Sequence, residues 1–291
     1  MTFTRQCRAG ALAALVVALL VATPAARAAE YTEQPVTIPS GAVTLRGVLA
    51  RPAGDGPFPA YVHVHGSVRV EVASSPPWTG LAKGTYLPDL AREGYVVLRL
   101  ARRGHFGSDG TTVGYHLKRT TGDVPSGYAV FASLQTDALD LLTAVEYLRG
   151  LGYVDPDRVA IGGHSMGGLV SVLAGARDPR VRAIISLAGG FRWTEGGRET
   201  SVPFVDRAWR DSARSVTAPV LILWSKNDVS LDVDVGRDLE KRLRAAGKSV
   251  ELIVYPAHGQ DGHFLFTQRA GTSVFAPDVV RFLDANTGKK P

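Results

Sequence analysis

Short apolar runs alternate with segments of helical period along most of this chain, and that alternation limits the folds open to it more than any other feature. Ala60 to Val64 (AYVHV), Tyr95 to Leu100 (YVVLRL), Val159 to Gly162, Val181 to Leu187, Val220 to Trp224 and Val250 to Tyr255 are apolar nearly throughout, as strands buried on both faces are. Leu134, Ala138, Leu141, Leu142, Val145 and Leu148 fall on one face of a helix that Gly150 and Gly152 end. A further helix is expected from Asp232 to Ala246, stopped by Gly247, and others ending at Arg92 and covering Pro277 to Leu283. Strands alternating with helices predict an α/β fold with a mostly parallel central sheet and helices on both faces. Ahead of it, β-rich segments from Pro35 to Leu49 flank Ser40-Gly41, which reads as the turn of an N-terminal antiparallel hairpin. Arg192 to Ser215 is polar and reads as a small lid or a long surface loop.

The first 28 residues stand apart. Arg5 and Arg8 precede an uncharged apolar run, Ala9 to Ala22, and Ala26-Arg27-Ala28 offers small residues where a signal peptidase reads. The run is shorter than the ~20 residues a spanning helix needs. Residues 1–28 are therefore expected to be a signal peptide, residues 29–291 a single domain, and the mature chain a secreted or periplasmic protein without a stable membrane anchor. Cys7, the only cysteine, would leave with that segment. Disulfides, thiolate metal sites and thiol catalysis are thereby excluded from the mature chain. The net charge of +6 includes Arg5, Arg8 and Arg27; setting those three aside leaves +3, with no basic block to suggest nucleic-acid binding.

Gly163-His164-Ser165-Met166-Gly167 matches G-x-S-x-G, with a strand before it and a helical segment, Leu169 to Ala176, after it. On such an elbow the serine sits in a tight, strained turn, and glycines on either side remove β-carbons that would collide. The amide of Met166, opening the helix, would face a developing oxyanion. A serine of this kind takes its acid and then its histidine from further along the chain. Asp228 lies just past the strand Val220 to Trp224; Asp232 and Asp234, at a helix start, have an explanation as cap and dipole partners, and Asp206 and Asp211 precede the strand. Two histidines follow the next strand, His258 and His263. His263 is preferred because it follows Gly262 and precedes an apolar segment that can anchor its loop. After the early strand stands His65-Gly66-Ser67, where the Ser67 amide, with Gly66 in reserve, is the candidate second oxyanion donor; His65 itself reads as structural.

His65-Gly66, Arg103-Gly104-His105-Phe106-Gly107-Ser108, Asp155-Pro156-Asp157-Arg158, GHSMGG at 163–168, Asp228 after its strand and Gly262-His263 occur in an order that resembles the α/β-hydrolase superfamily. Within it, the chain resembles the dienelactone hydrolase-like and prolyl-oligopeptidase-like serine esterases. The resemblance runs from about Pro35 to the final helix. It implies the α/β-hydrolase fold, catalysis by Ser165, Asp228 and His263 through an acyl-enzyme on a small-molecule ester or other acyl substrate, and no cofactor or metal. Two departures stand out. The family often has more glycine after HG, where this chain reads Ser67-Val68-Arg69, and dienelactone hydrolases proper carry a cysteine nucleophile. The same residues are compatible with a peptidase or an acyltransferase, and a silenced fold would leave a binding protein. Oligomeric state is not encoded in any of these features.

Overall fold

The structure is a computed structural model and describes residues 30–68, 72, 74–82, 85–111 and 126–288. The expected signal peptide, residues 1–28, lies outside the described residues. Strands β1 (Tyr31–Ser40) and β2 (Val43–Pro52) form the N-terminal hairpin, paired antiparallel from Tyr31↔Pro52 to Ser40↔Val43. Gly41 takes φ +60° at its turn, a conformation glycine adopts without a β-carbon penalty. Then follow β3 (Phe58–Val64), α1 (Leu87–Arg92), β4 (Val96–Ala101), α2 (Gly127–Arg149), β5 (Val154–His164), α3 (Met166–Gly175) and β6 (Ile184–Leu187). The remainder comprises β7 (Thr194–Glu195), β8 (Arg198–Glu199), α4 (Val202–Ser215), β9 (Val220–Ser225), α5 (Val233–Ala245), β10 (Val250–Tyr255), a 3₁₀ turn (Gly262–Phe266) and α6 (Arg269–Thr287).

Eight strands form one sheet in the order β1-β2-β4-β3-β5-β6-β9-β10, antiparallel at β1/β2 and β2/β4 and parallel at every other pair. From β3 the chain steps one way to β4, then reverses to β5 and continues outward to β10. Right-handed crossovers put α1 on one face and the helices after β4 on the other. The final helix joins α1, where Phe275 meets Tyr86 edge to face at 5.4 Å. The reversal falls between β3 and β5, and the crevice beyond the carboxyl ends of such strands is where α/β sheets bind ligands.

Two of the helices begin where a side chain supplies an acceptor. Ser126 Oγ accepts from the Ala129 amide at the start of α2, and Asp232 from the Asp234 amide at the start of α5. The stretch Arg192 to Ser215 is not an irregular loop. It contains the β7–β8 hairpin and α4, a 14-residue helix that buries Val205, Ala208, Trp209, Ser212 and Ala213 while Arg207–Asp211 and Asp206–Arg210 pair on its outer face. Likewise α6 starts eight residues before Pro277 and carries that proline inside it. Strand β5 reaches back to Val154, whereas β6 covers only the last four residues of the expected Val181–Leu187. Among the described residues no helix is long and apolar enough to cross a membrane.

Candidate active site

Strands β3 and β5 are hydrogen-bonded neighbours, with Val64 opposite Gly163. The segments leaving their carboxyl ends, His65-Gly66-Ser67 and Ser165-Met166, therefore emerge side by side. A β-carbon on Gly163 would stand 2.5 Å from the Val64 carbonyl oxygen, and one on Gly66 would stand 2.9 Å from Ser165 Cβ. The close fit explains the glycines of the elbow. Ser165 takes φ 56° and ψ −122°, a region costly for a residue with a side chain. The turn is held by its backbone: Ser165 N–H donates to Leu187 O at 2.9 Å, and Ser165 O accepts from the amides of Gly168 (2.9 Å), Gly190 (3.0 Å) and Leu169 (3.2 Å).

Asp228 follows β9 and its carboxylate is fully buried. One oxygen accepts from the Leu231 amide at 2.7 Å and the other lies 2.8 Å from His263 Nδ1. The acceptor at Nδ1 fixes the tautomer of a neutral ring and leaves Nε2 to face elsewhere. His263 and Ser165 line one cavity of about 810 Å³; no hydrogen bond joins their side chains in this structure. His258 is engaged through its backbone, its amide donating to Asn227 Oδ1 at 2.8 Å, and does not line that cavity. Asp232 caps α5, Asp234 pairs with Arg237, and Asp206 and Asp211 belong to the outer face of α4.

Ser67 and Met166 also line the cavity, and Ser67 Oγ donates to Met166 Sδ at 2.9 Å. Neither of their amides has an acceptor among the described residues. The described lining contains no carboxylate. It does contain Arg99, whose guanidinium lies 3.5 Å over the Trp78 ring and donates to Gly80 O at 3.3 Å, without an acidic partner among the described residues. Burial pushes its pKa down to about 10. Beside it, burial and then the Arg99 charge push His63 down to about 3, and its Nδ1 meets Tyr86 Oη at 2.9 Å. Burial also holds His164 well below its ordinary range, with His263 the next cause. The neutral ring is tied by Nε2 to the His263 carbonyl oxygen at 3.0 Å. Of the aromatics in the loops, Tyr86 and Trp193 line the cavity with Phe191, Phe264 and Phe266. Trp209 is packed inside, Tyr128 is exposed, and Tyr115 lies outside the described residues.

Sequence reading passed over Asp261. Its carboxylate accepts from the His263 amide at 2.9 Å, the Val229 amide at 3.1 Å and Ser230 Oγ at 2.7 Å. Burial raises its pKa, but these hydrogen bonds outweigh it and hold the carboxyl below 3.8. Asp261 thereby fastens the loop of Asp228 to that of His263. An acid two residues before a candidate histidine was the available signal. Among the described residues no group of three or more His, Cys, Asp or Glu side chains could hold a metal ion.

The family model for the dienelactone hydrolase family matches residues 78–272. A Methylorubrum extorquens protein described as "Putative carboxymethylenebutenolidase" is 29% identical over 228 residues, spanning 78% of this chain and 71% of that one. The acylaminoacyl peptidase of Pyrococcus horikoshii superposes with a TM-score of 0.66 at 19% identity, over 90% of this chain and 42% of that one. Est1E of Butyrivibrio proteoclasticus, with ferulic acid bound, superposes with a TM-score of 0.60 at 19% identity, over 87% of this chain and 99% of that one. At such identities the structural likeness speaks for the fold, the α/β-hydrolase fold, alone.

Proposed function

This chain belongs to the dienelactone hydrolase family, and from that premise we propose that it is a serine hydrolase that cleaves carboxylic esters or lactones through an acyl-enzyme on Ser165. The observation that carries the reading is the pairing of buried Asp228 with His263 Nδ1, in a cavity that also holds Ser165 on its strained turn. His263 Nε2 takes the Ser165 proton as Oγ attacks the carbonyl carbon, and Asp228 stabilises the imidazolium. The amides of Met166 and Ser67 hold the oxyanion. His263 then protonates the leaving alkoxide, and water repeats the sequence on the acyl-enzyme. The Ser165–His263 hydrogen bond, open in the free chain, closes when substrate enters, since such contacts are often long until substrate is bound.

Arg99 supports a narrower reading of the substrate. A guanidinium with no acidic partner among the described residues, in a described lining free of carboxylates, suits an ester or lactone that carries its own carboxylate. Export is proposed on the strength of residues 1–28, and amino-terminal sequencing of the extracellular or periplasmic protein tests it.

Hydrolysis of a short-chain p-nitrophenyl ester by wild type and Ser165→Ala tests the main reading. The expected loss is on the order of 10⁶ in turnover, together with loss of fluorophosphonate labelling. Equal rates would overturn it. The acylaminoacyl peptidase likeness keeps peptide bonds as the second substrate class, which the same assay with acyl-peptide substrates separates.

A further inference from the structure

Arg102 leaves the end of β4 and is buried, as is its partner Asp137 on α2; Arg102 NH1 lies 2.9 Å from Asp137 Oδ2. The second arm of the guanidinium, NH2, donates to the Gly66 carbonyl oxygen at 3.0 Å. That oxygen is also 2.8 Å from His65 Nδ1. On the far side of the same ring, the Arg102 backbone amide donates to His65 Nε2 at 3.2 Å. An Nε2 that accepts from an amide carries no proton, so Nδ1 carries it and donates to Gly66 O. Burial, and after it the Arg102 charge, keeps His65 well below its ordinary range and so neutral. One carbonyl oxygen is thus gripped by two donors, and both trace back to Arg102.

The Gly66 carbonyl and the Ser67 N–H belong to one peptide plane, and in a trans peptide they point in opposite directions. Fixing the oxygen toward Arg102 fixes the amide away from it. The glycine makes such a grip necessary, since a peptide next to glycine rotates with little steric resistance. Burying an arginine–aspartate pair is seldom a gain in stability over an apolar pair of the same volume. Its presence at the end of β4 calls for a geometric purpose.

We infer that Arg102, anchored by Asp137 and acting with His65, is a positioning residue that aims the Ser67 amide at the oxyanion of the reaction on Ser165. The inference rests on Ser165 being the nucleophile. Arg102 and Asp137 do not line the cavity; with His65 they set the direction of a donor before charge develops, which is what makes such donors effective.

The test uses the Arg102→Met/Asp137→Leu double variant, which removes both charges, and Arg102→Lys, which keeps the pair with Asp137 but loses the fork that also reaches Gly66 O. In each, kcat and KM for a short-chain p-nitrophenyl ester, the rate of fluorophosphonate labelling, and inhibition by a trifluoromethyl ketone are measured beside thermal unfolding. Removing a whole oxyanion donor costs ~10²–10³ in kcat. Misaiming one is expected to lower kcat and the labelling rate by roughly 10- to 100-fold. KM should stay within about threefold, and ketone inhibition should weaken by the same factor as kcat. Arg102→Lys, whose charges still pair, decides the matter if the double variant does not fold. A folded variant with wild-type kcat and ketone inhibition overturns the inference while Ser165→Ala remains inactive. An active Ser165→Ala overturns the proposed function instead.

Discussion

His164 Nε2 donates to the carbonyl oxygen of His263 at 3.0 Å, with the two rings 4.5 Å apart. The residue before the candidate nucleophile is therefore bonded to the backbone of the candidate base, across 99 positions of sequence. Replacing His164 by Leu deletes a donor to that carbonyl in a buried place and leaves it only the amide of its own 3₁₀ turn. The expected cost is about 1–3 kcal/mol, read as a lower urea midpoint at unchanged slope. Turnover should fall several-fold, with KM little altered.

Asp228→Asn removes the charge facing His263 Nδ1 while keeping the shape. A neutral amide can present its NH2 group to the ring and favour the wrong tautomer, so kcat should fall by on the order of 10⁴. Unfolding should change little by comparison. Stopped-flow acylation with an activated ester measures the step, and a loss below tenfold would remove Asp228 from the reaction.

His63, His65 and His164 are all neutral in the folded chain, each displaced downward first by burial. Unfolding exposes them to water, where they ionise near 6.5. Below that pH the unfolded chain binds more protons than the folded one, so stability rises with pH there. Their contribution is complete above about 6.5 and declines as the pH falls, by at most about 1.4 kcal/mol per unit for each ring. Urea midpoints should be level from pH 7 to 8 and drop between 6.5 and 5. His63→Gln should make that drop shallower.

Arg99→Met keeps much of the contact with Trp78 and deletes the charge. For an ester bearing a carboxylate on its acyl part, kcat/KM should fall by about tenfold or more, consistent with the loss of one charge-assisted hydrogen bond. The neutral methyl analogue should be unaffected. Equal losses on both substrates would assign Arg99 a packing role.

What could be read from the chain follows from how local its cause is. The elbow was legible because Gly163, Ser165 and Gly167 are dictated by a single turn, and Asp228 because it lies directly past an apolar strand. Helix α4 escaped notice although Val205, Ala208, Trp209, Ser212 and Ala213 recur at helical spacing. Its many arginines and aspartates, paired along the outer face, outweighed that stripe. Pro277 reads as a helix start, but a proline inside a helix gives up one hydrogen bond, and Phe275 and Ala276 on one side and Val279 on the other are buried in α6. The Arg102–Asp137 pair was out of reach. Its members are 35 positions apart and of types usually left in water, so only the folded chain brings them together.

The pairing of Val64 with Gly163 has a consequence for how such a protein can change. Neighbouring strands keep a spacing of about 4.7–4.9 Å whatever their side chains, so the separation between the turns at 67 and 165 is inherited from the sheet. The segments that shape the rest of the cavity hang from other parts of the chain. They can lengthen, shorten or exchange residues and admit a different ester, while the reacting oxygen and the amide opposite it stay in register.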